Sequence, residues 1–273
     1  MFLSMINQET LPPTTLKLII ESKSKVLINN IWYFFFFMLF AIIGILLFYR
    51  WTVNEVLPLT ILSFLWIMFW SNSERKGQIL LIIASVFGYF HELLGVIYGY
   101  FTYLGGVIGN VPIWILPGYG AIFWSSYNLW HIFELRYSKS QWFPVVNYFI
   151  PVSLTILLAF DFFFFDLAQN PIAIMAKFSL AFLLFKNFKE LRLAYFVGFF
   201  TVLTEFSGEI LGTWYHPDFS LLSLMTGYVF LLWICITIAD SIDGVKKWGV
   251  VEVVAASLLT LYYIVSMAGI FSI

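Results

Sequence analysis

The sequence predicts an all-α fold, a polytopic membrane helical bundle with nine transmembrane helices: two parallel four-helix repeats plus one. Three observations carry this expectation. Only 11% of the 273 residues are charged and 62% are hydrophobic, against about 25% and 45–50% in soluble domains. Uncharged runs such as 32–48 and 219–239 approach or span the ~30 Å hydrocarbon core of a bilayer. A glutamate followed by two spaced glycines occurs twice, 113 residues apart, as Glu92, Gly95, Gly99 and as Glu205, Gly208, Gly212.

The elements follow in order. Residues 1–27 contain Pro12, Pro13 and several polar side chains, and read as a cytoplasmic N-terminal segment without a signal-peptide core. Residues 28–140 form the first repeat, with spans at 30–49, 55–70, 78–101 and 112–133. Residues 141–245 form the second, with spans at 143–163, 171–185, 191–214 and 219–239, and residues 246–273 carry a ninth span at 249–271. Backbone polar groups in lipid must be satisfied internally, which makes each apolar run a helix.

Charge sets the orientation. With the N-terminus cytoplasmic, twelve basic residues fall on the cytoplasmic side, among them Arg75, Lys76, Arg136, Lys189, Arg192 and Lys246. Arg50 alone falls outside, which is a positive-inside pattern and places the C-terminus outside after an odd number of spans. A multi-pass protein of the cell membrane is therefore expected. Cys235 is the single cysteine, so no disulfide forms within one chain. Basic charge concentrates only on the cytoplasmic side, and no nucleic-acid partner is implied.

The 113-residue shift aligns more than the glutamates. Without gaps it places Pro58 on Pro171, Phe69 on Phe182, Lys76 on Lys189 and Phe87 on Phe200. Gly118, Tyr119 and Trp124 then match Gly227, Tyr228 and Trp233 after a four-residue contraction. Four spans per unit keep both copies in the same orientation, related by an axis along the membrane normal.

An ionisable residue inside a membrane is a functional-site hypothesis by default. Glu92 and Glu205 are therefore the leading catalytic candidates, expected about 14 Å below the outer ends of their spans at ~1.5 Å per residue. The spacing puts Gly95 and Gly99, and likewise Gly208, Glu209 and Gly212, on the same helix face as the glutamate, where small residues let another helix approach. Glu209, His91 and Lys177 complete the catalytic set as tuning groups, with Lys177 expected to pair with Glu205 or Glu209. Glu209 matches Val96, Lys177 matches Phe64 and His91 matches Thr204, which favours one asymmetric site. Carboxylates in different environments divide into acid and base roles.

Aromatic residues near the outer ends form an interfacial belt or a lid over an elongated apolar ligand. Tyr100, Tyr119, Trp214 and Tyr228 are the candidates for binding that ligand. Glu92, Glu205, Glu209 and His91 include donors that a hard divalent ion accepts, yet no metal site is expected. His91 and His131 lie too far apart for one haem, and no cofactor is implied.

Glu-x2-Gly-x3-Gly followed by aromatics, with Pro112–Trp114 opening the next span, resembles polytopic carotenoid-modifying membrane proteins. The nearest are the hydratases that add water to acyclic, bacterioruberin-type carotenoid ends. The similarity covers about 45 residues around spans 3 and 4 and, more loosely, spans 7 and 8. It implies that Glu92 and Glu205 protonate a carbon–carbon double bond or activate water.

The first functional expectation is thus an integral membrane enzyme with hydratase- or isomerase-like acid–base chemistry on an apolar lipid or isoprenoid. The second is a proton- or cation-coupled small-molecule transporter using the same carboxylates. The third is a non-catalytic subunit or scaffold, assembled with other membrane proteins or as a homo-oligomer.

Overall fold

A computed structural model describes residues 40–137, 148–164, 188–217, 220–242 and 244. Seven helices and one two-stranded sheet follow in the order α1 (Phe40–Thr52), α2 (Val56–Ser71), α3 (Arg75–Ile97), β1 (Thr102–Tyr103), α4 (Ile115–Tyr137), α5 (Phe149–Phe164), α6 (Phe188–Ile210), β2 (Trp214–Tyr215) and α7 (Leu221–Ile242). Among the described residues three helical stretches, α3, residues 190–210 of α6, and α7, are long and apolar enough to cross a membrane. The protein is helical, and its apolar helices fit association with a membrane. The helices overlap the expected spans except 171–185 and 249–271, which lie outside the described residues, as do residues 1–27.

Four helices form the centre. α3 packs on α4, α6 packs on α7, and the two pairs close on each other through α3 with α7 and α4 with α6. α2 leans on α4 and α3, and α5 leans on α7 and α6. Buried Leu80, Leu81 and Ala84 of α3, Phe123 and Trp130 of α4, Ala194 and Val197 of α6, and Met225 and Leu232 of α7 fill the space between. A few polar tethers fix the helices laterally. Trp66 Nε1 donates to Ser85 Oγ at 2.9 Å, and Trp124 Nε1 donates to Ser73 Oγ at 2.6 Å. The Trp124 ring also stacks on Phe69 with centroids 4.3 Å apart.

The ends of α3 and α6 correct the sequence reading. Both helices stop four residues before the expected span ends at 101 and 214, at Ile97 and Ile210. Gly99 and Gly212 adopt the left-handed conformation, at φ +74° and +66°. At the end of α3, Gly99 N donates to Val96 O at 3.1 Å and Tyr100 N to Gly95 O at 2.9 Å. At the end of α6, Gly212 N donates to Glu209 O at 3.0 Å and Thr213 N to Gly208 O at 2.8 Å. Each is a Schellman motif, in which a residue without Cβ takes the left-handed position and the chain satisfies two terminal carbonyls. Gly99 and Gly212 therefore terminate helices and do not extend a packing face.

Gly95 and Gly208 are also reassigned. A Cβ on Gly95 would stand 2.2 Å from Phe101 Cε1, and one on Gly208 would stand 2.0 Å from Trp214 Cζ2. Each glycine receives an aromatic ring from the segment just after its own helix, and not another helix backbone. The chain folds back over its own helix end because the left-handed cap reverses its direction.

The two returning segments join. β1 and β2 pair antiparallel, with Thr102 opposite Tyr215 and Tyr103 opposite Trp214, and Leu104 N donates to Thr213 O at 3.2 Å. This small sheet closes one end of the four-helix centre. At the other end Lys76 Nζ lies 2.6 Å from Asp240 Oδ1, joining α3 to α7, and Arg192 Nη2 lies 4.0 Å from Glu134 Oε1, joining α6 to α4.

Candidate functional site

Beneath the sheet, α3, α4, α6 and α7 bring two carboxylates into one buried chain of hydrogen bonds. Glu92 and Glu205 are 2% and 7% exposed, so their charge or proton must be satisfied by protein groups. Tyr103 Oη donates to Glu92 Oε2 at 2.6 Å, and Tyr119 Oη donates to Glu92 Oε1. Tyr228 Oη donates to Glu205 Oε1 at 2.8 Å. The phenol oxygens of Tyr119 and Tyr228 are 3.1 Å apart, and one donates to the other when its own carboxyl partner carries the proton of that bond. Glu92, Tyr119, Tyr228 and Glu205 thus form one continuous path.

Local structure explains how each group reaches the path. Glu92 and Glu205 each stand five residues before the last helical residue of α3 and α6, about 8 Å from the helix end at ~1.5 Å per residue. The expected depth of about 14 Å shortens because the helices stop early. Tyr119 and Tyr228 lie in the first two turns of α4 and α7, the helices that re-enter the bundle beyond the sheet. Gly88 lets the Tyr119 ring lie against α3: a Cβ there would come 2.2 Å from Tyr119 Cγ. Burial, reinforced by the Glu92 and Glu205 carboxylates, pushes the Tyr103 phenol well above its usual range, so it remains a donor.

The lid over the path is aromatic and tethered. Phe101 packs at 4.8 Å from His216, and Tyr103 packs edge-on at 5.5 Å from Trp214. Trp214 Nε1 donates to the Glu205 backbone carbonyl at 3.2 Å. His216 Nδ1 lies 2.8 Å from Glu209 Oε2, and its backbone N–H reaches the same carboxylate at 3.2 Å. Glu55 accepts from Val107 N at 3.0 Å and from Ile113 N at 2.6 Å, which pins the long β1–α4 connection to the start of α2. Tyr49 Oη donates to the Gly105 carbonyl. Arg50 lies against Gly212, where a cation complements the carbonyl end of α6.

On one side the path meets a cleft of about 50 Å³. Ile42, Ile45 and Leu46 of α1, Ile122 of α4 and Thr201 of α6 contribute to a mostly apolar wall, and Tyr119, Glu205 and Trp214 also line it. Thr201 and Thr204 hydroxyls bond to carbonyls of their own helix, at 2.9 and 3.1 Å. Tyr119 and Glu205 are therefore the side chains through which this cleft meets the buried chain. Glu92 is not among its lining residues.

The candidates named from sequence distribute unevenly. Glu92, Glu205, Tyr119 and Tyr228 converge on one network, and Trp214 covers Gly208 beside it. His91 Nδ1 lies 3.7 Å from Glu92 Oε1, and its ring is 6.3 Å from Tyr228. Glu209 belongs to the lid through His216. Tyr100 is 48% exposed and lies outside the carboxylate path. Lys177 and its expected ion pair lie outside the described residues. Among the described residues no group of three or more His, Cys, Asp or Glu side chains could hold a metal ion; Glu209 is turned to His216, and two phenols stand between Glu92 and Glu205.

Sequence reasoning missed Tyr103, Glu55 and Tyr49. Tyr103 follows the Gly99 stop by four residues, and reading that glycine as a left-handed cap would have signalled a chain turning back toward Glu92. Glu55 and Tyr49 act through loop contacts at sequence separations of 52 to 58, which no local pattern announces. No protein-family model, curated protein or solved structure matches the sequence.

Proposed function

We propose that the protein is an integral membrane enzyme that performs acid–base chemistry on an apolar lipid or isoprenoid, with Glu205 as the acid that meets the ligand. The carrying observation is a buried carboxyl linked to a second carboxyl by two phenols, lining a cleft whose remaining walls are largely hydrocarbon. Such walls favour an alkyl or polyene ligand, and general acid–base groups act on the atom they can reach by hydrogen-bond distance. The resemblance to carotenoid hydratases around Glu92 and Pro112–Trp114 agrees with addition of water to, or migration of, a carbon–carbon double bond. Tyr119 and Trp214, which line the cleft, would hold the ligand, Tyr228 would support the acid from within the hydrogen-bond chain, and His91 and Glu209 would tune the site.

The architecture in this reading is nine spans built from two parallel repeats, residues 28–140 and 141–245, followed by a ninth span. The sheet register supports it. Thr102 pairs with Tyr215, its own counterpart after the 113-residue shift, as expected for antiparallel strands related by a two-fold axis between them. Phe101–His216 and Trp214–Tyr103 are then the same ring contact seen twice. Matching bounds of α3 and α6, Arg75–Ile97 and Phe188–Ile210, and paired Schellman motifs point the same way. Arg75, Lys76 and Arg192 lie at the end opposite the sheet, which supports a cytoplasmic assignment of that end in a cell membrane.

The test compares lipid and pigment extracts, by mass spectrometry, from cells making the wild-type protein or Glu205→Gln at equal accumulation. The expected result is a hydrated or double-bond-shifted apolar product that depends on Glu205. Identical extracts would overturn the enzyme reading. Glutamate-dependent uptake of a solute by proteoliposomes, without any product, would replace it with transport.

A further inference from the structure

The hydrogen-bond chain contains three gaps and only two phenolic protons. The gaps are Glu92 to Tyr119, Tyr119 to Tyr228 at 3.1 Å, and Tyr228 to Glu205 at 2.8 Å. A phenol supplies one donor, an ionised carboxylate supplies none, and a protonated carboxyl supplies one. With both glutamates ionised, Tyr119 donates to Glu92 and Tyr228 to Glu205. The two phenol oxygens then face each other with no proton between them. One additional proton on either carboxyl fills all three gaps in a single direction.

The ends of the chain differ. Glu92 also accepts from Tyr103 at 2.6 Å, and a second donor favours the ionised carboxylate; His91 Nδ1 lies 3.7 Å away. The Glu205 carboxyl has the Tyr228 phenol as its one hydrogen-bond partner among the described residues, at 2.8 Å, and it lines the cleft. The extra proton therefore sits at Glu205 at rest, with Glu205 donating to Tyr228, Tyr228 to Tyr119 and Tyr119 to Glu92. Buried networks of this sort are coherent only when every member is satisfied.

We propose that Glu92 and Glu205 share one proton through Tyr119 and Tyr228, so that Glu92 is a relay and positioning residue that reloads Glu205, the carboxyl facing the cleft. The transfer balances. A proton arriving on Glu92 passes to the Tyr119 oxygen as the Tyr119 proton passes to Tyr228 and the Tyr228 proton passes to Glu205. One O–H bond is lost at Glu92 and one gained at Glu205, and both phenols end as phenols. His91, whose side chain is 26% exposed, adjoins Glu92 at the end from which the proton enters.

The inference rests on the acid–base reading above, but its readout needs no ligand. Infrared titration of the full-length protein in nanodiscs should find one protonated-carboxyl band per chain at neutral pH, lost in Glu205→Gln. Glu92→Gln should shift the midpoint of that band by about one pH unit or more, the size of coupling that makes two sites titrate as a pair. In a Tyr119→Phe, Tyr228→Phe background the shift should vanish, as a double-mutant cycle requires if the phenols carry the coupling. Persistence of the band in Glu205→Gln, or an equal shift without the phenols, would overturn the relay. If the double phenylalanine variant fails to accumulate, the wild-type titration decides, because two independently titrating carboxyl bands are incompatible with one shared proton. Product formation without the shared band would sink the relay alone, and a shared band in protein that converts nothing would sink the enzyme reading alone.

Discussion

Glu92 and Glu205 occupy the same position on helices that end in the same motif, yet they receive different partners. Glu92 takes two phenols, Tyr103 and Tyr119, with His91 beside it. Glu205 takes one, Tyr228, and borders the cleft. The lid explains the difference. Tyr103, four residues after Gly99, reaches down to Glu92, whereas His216, four residues after Gly212, turns to Glu209. The lid thus gives the Glu92 carboxylate a phenol donor, while its histidine is engaged by Glu209. Two helix ends of the same form can thus leave one carboxylate anchored and the other available.

The largest effect that would sharpen this contrast is on conversion. Glu205→Gln should lower product formation by about 100-fold or more, the usual scale for a general acid. Glu92→Gln should lower it by about tenfold, the loss of one charge-assisted hydrogen bond expressed as a rate. Both are read from product yield per unit of protein, and equal losses would break the division of roles.

A second contrast lies in the rings over Gly95 and Gly208. Trp214 is held by its bond to the Glu205 carbonyl and approaches the glycine with its buried ring, so Gly208→Ala should destabilise the protein by about 2–3 kcal/mol. No polar tether holds the Phe101 ring, which can tilt, and Gly95→Ala should cost about 1 kcal/mol. Thermal unfolding in detergent measures the difference, and the reverse order would show that Trp214 yields more easily than Phe101. The smallest effect should be shared. Gly99→Ala and Gly212→Ala each place a Cβ in the left-handed region and should cost about 1 kcal/mol apiece, measured the same way. A large inequality there would mean that the two helix ends are less alike than their hydrogen bonds.

Much of the site was legible in sequence, for a specific reason. Charge in a greasy chain is rare, so Glu92 and Glu205 stood out from composition alone, and shared Gly and Tyr positions drew attention to Tyr119 and Tyr228. The meaning of the glycines was not legible. Spacing at i, i+3 and i+7 fits a helix face as well as it fits a ring-receiving position followed by a cap. Only the backbone conformation at Gly99 and Gly212 distinguishes them. Tyr100 and Tyr103 looked equally aromatic in sequence, but the reversal of the chain sends one outward and the other to Glu92.

Amino-acid order is enough for the helical, membrane-associated character and for singling out the two buried carboxylates, because hydrophobicity and the cost of burying charge act residue by residue. The tertiary structure alone decided that Tyr119 and Tyr228 join those carboxylates into one path, that Tyr103 and His216 divide their attention differently, and that Glu205 borders the cleft. Those are relations between groups up to 109 residues apart, and hydrogen bonds depend on distance and direction in space, which no one-dimensional spacing encodes.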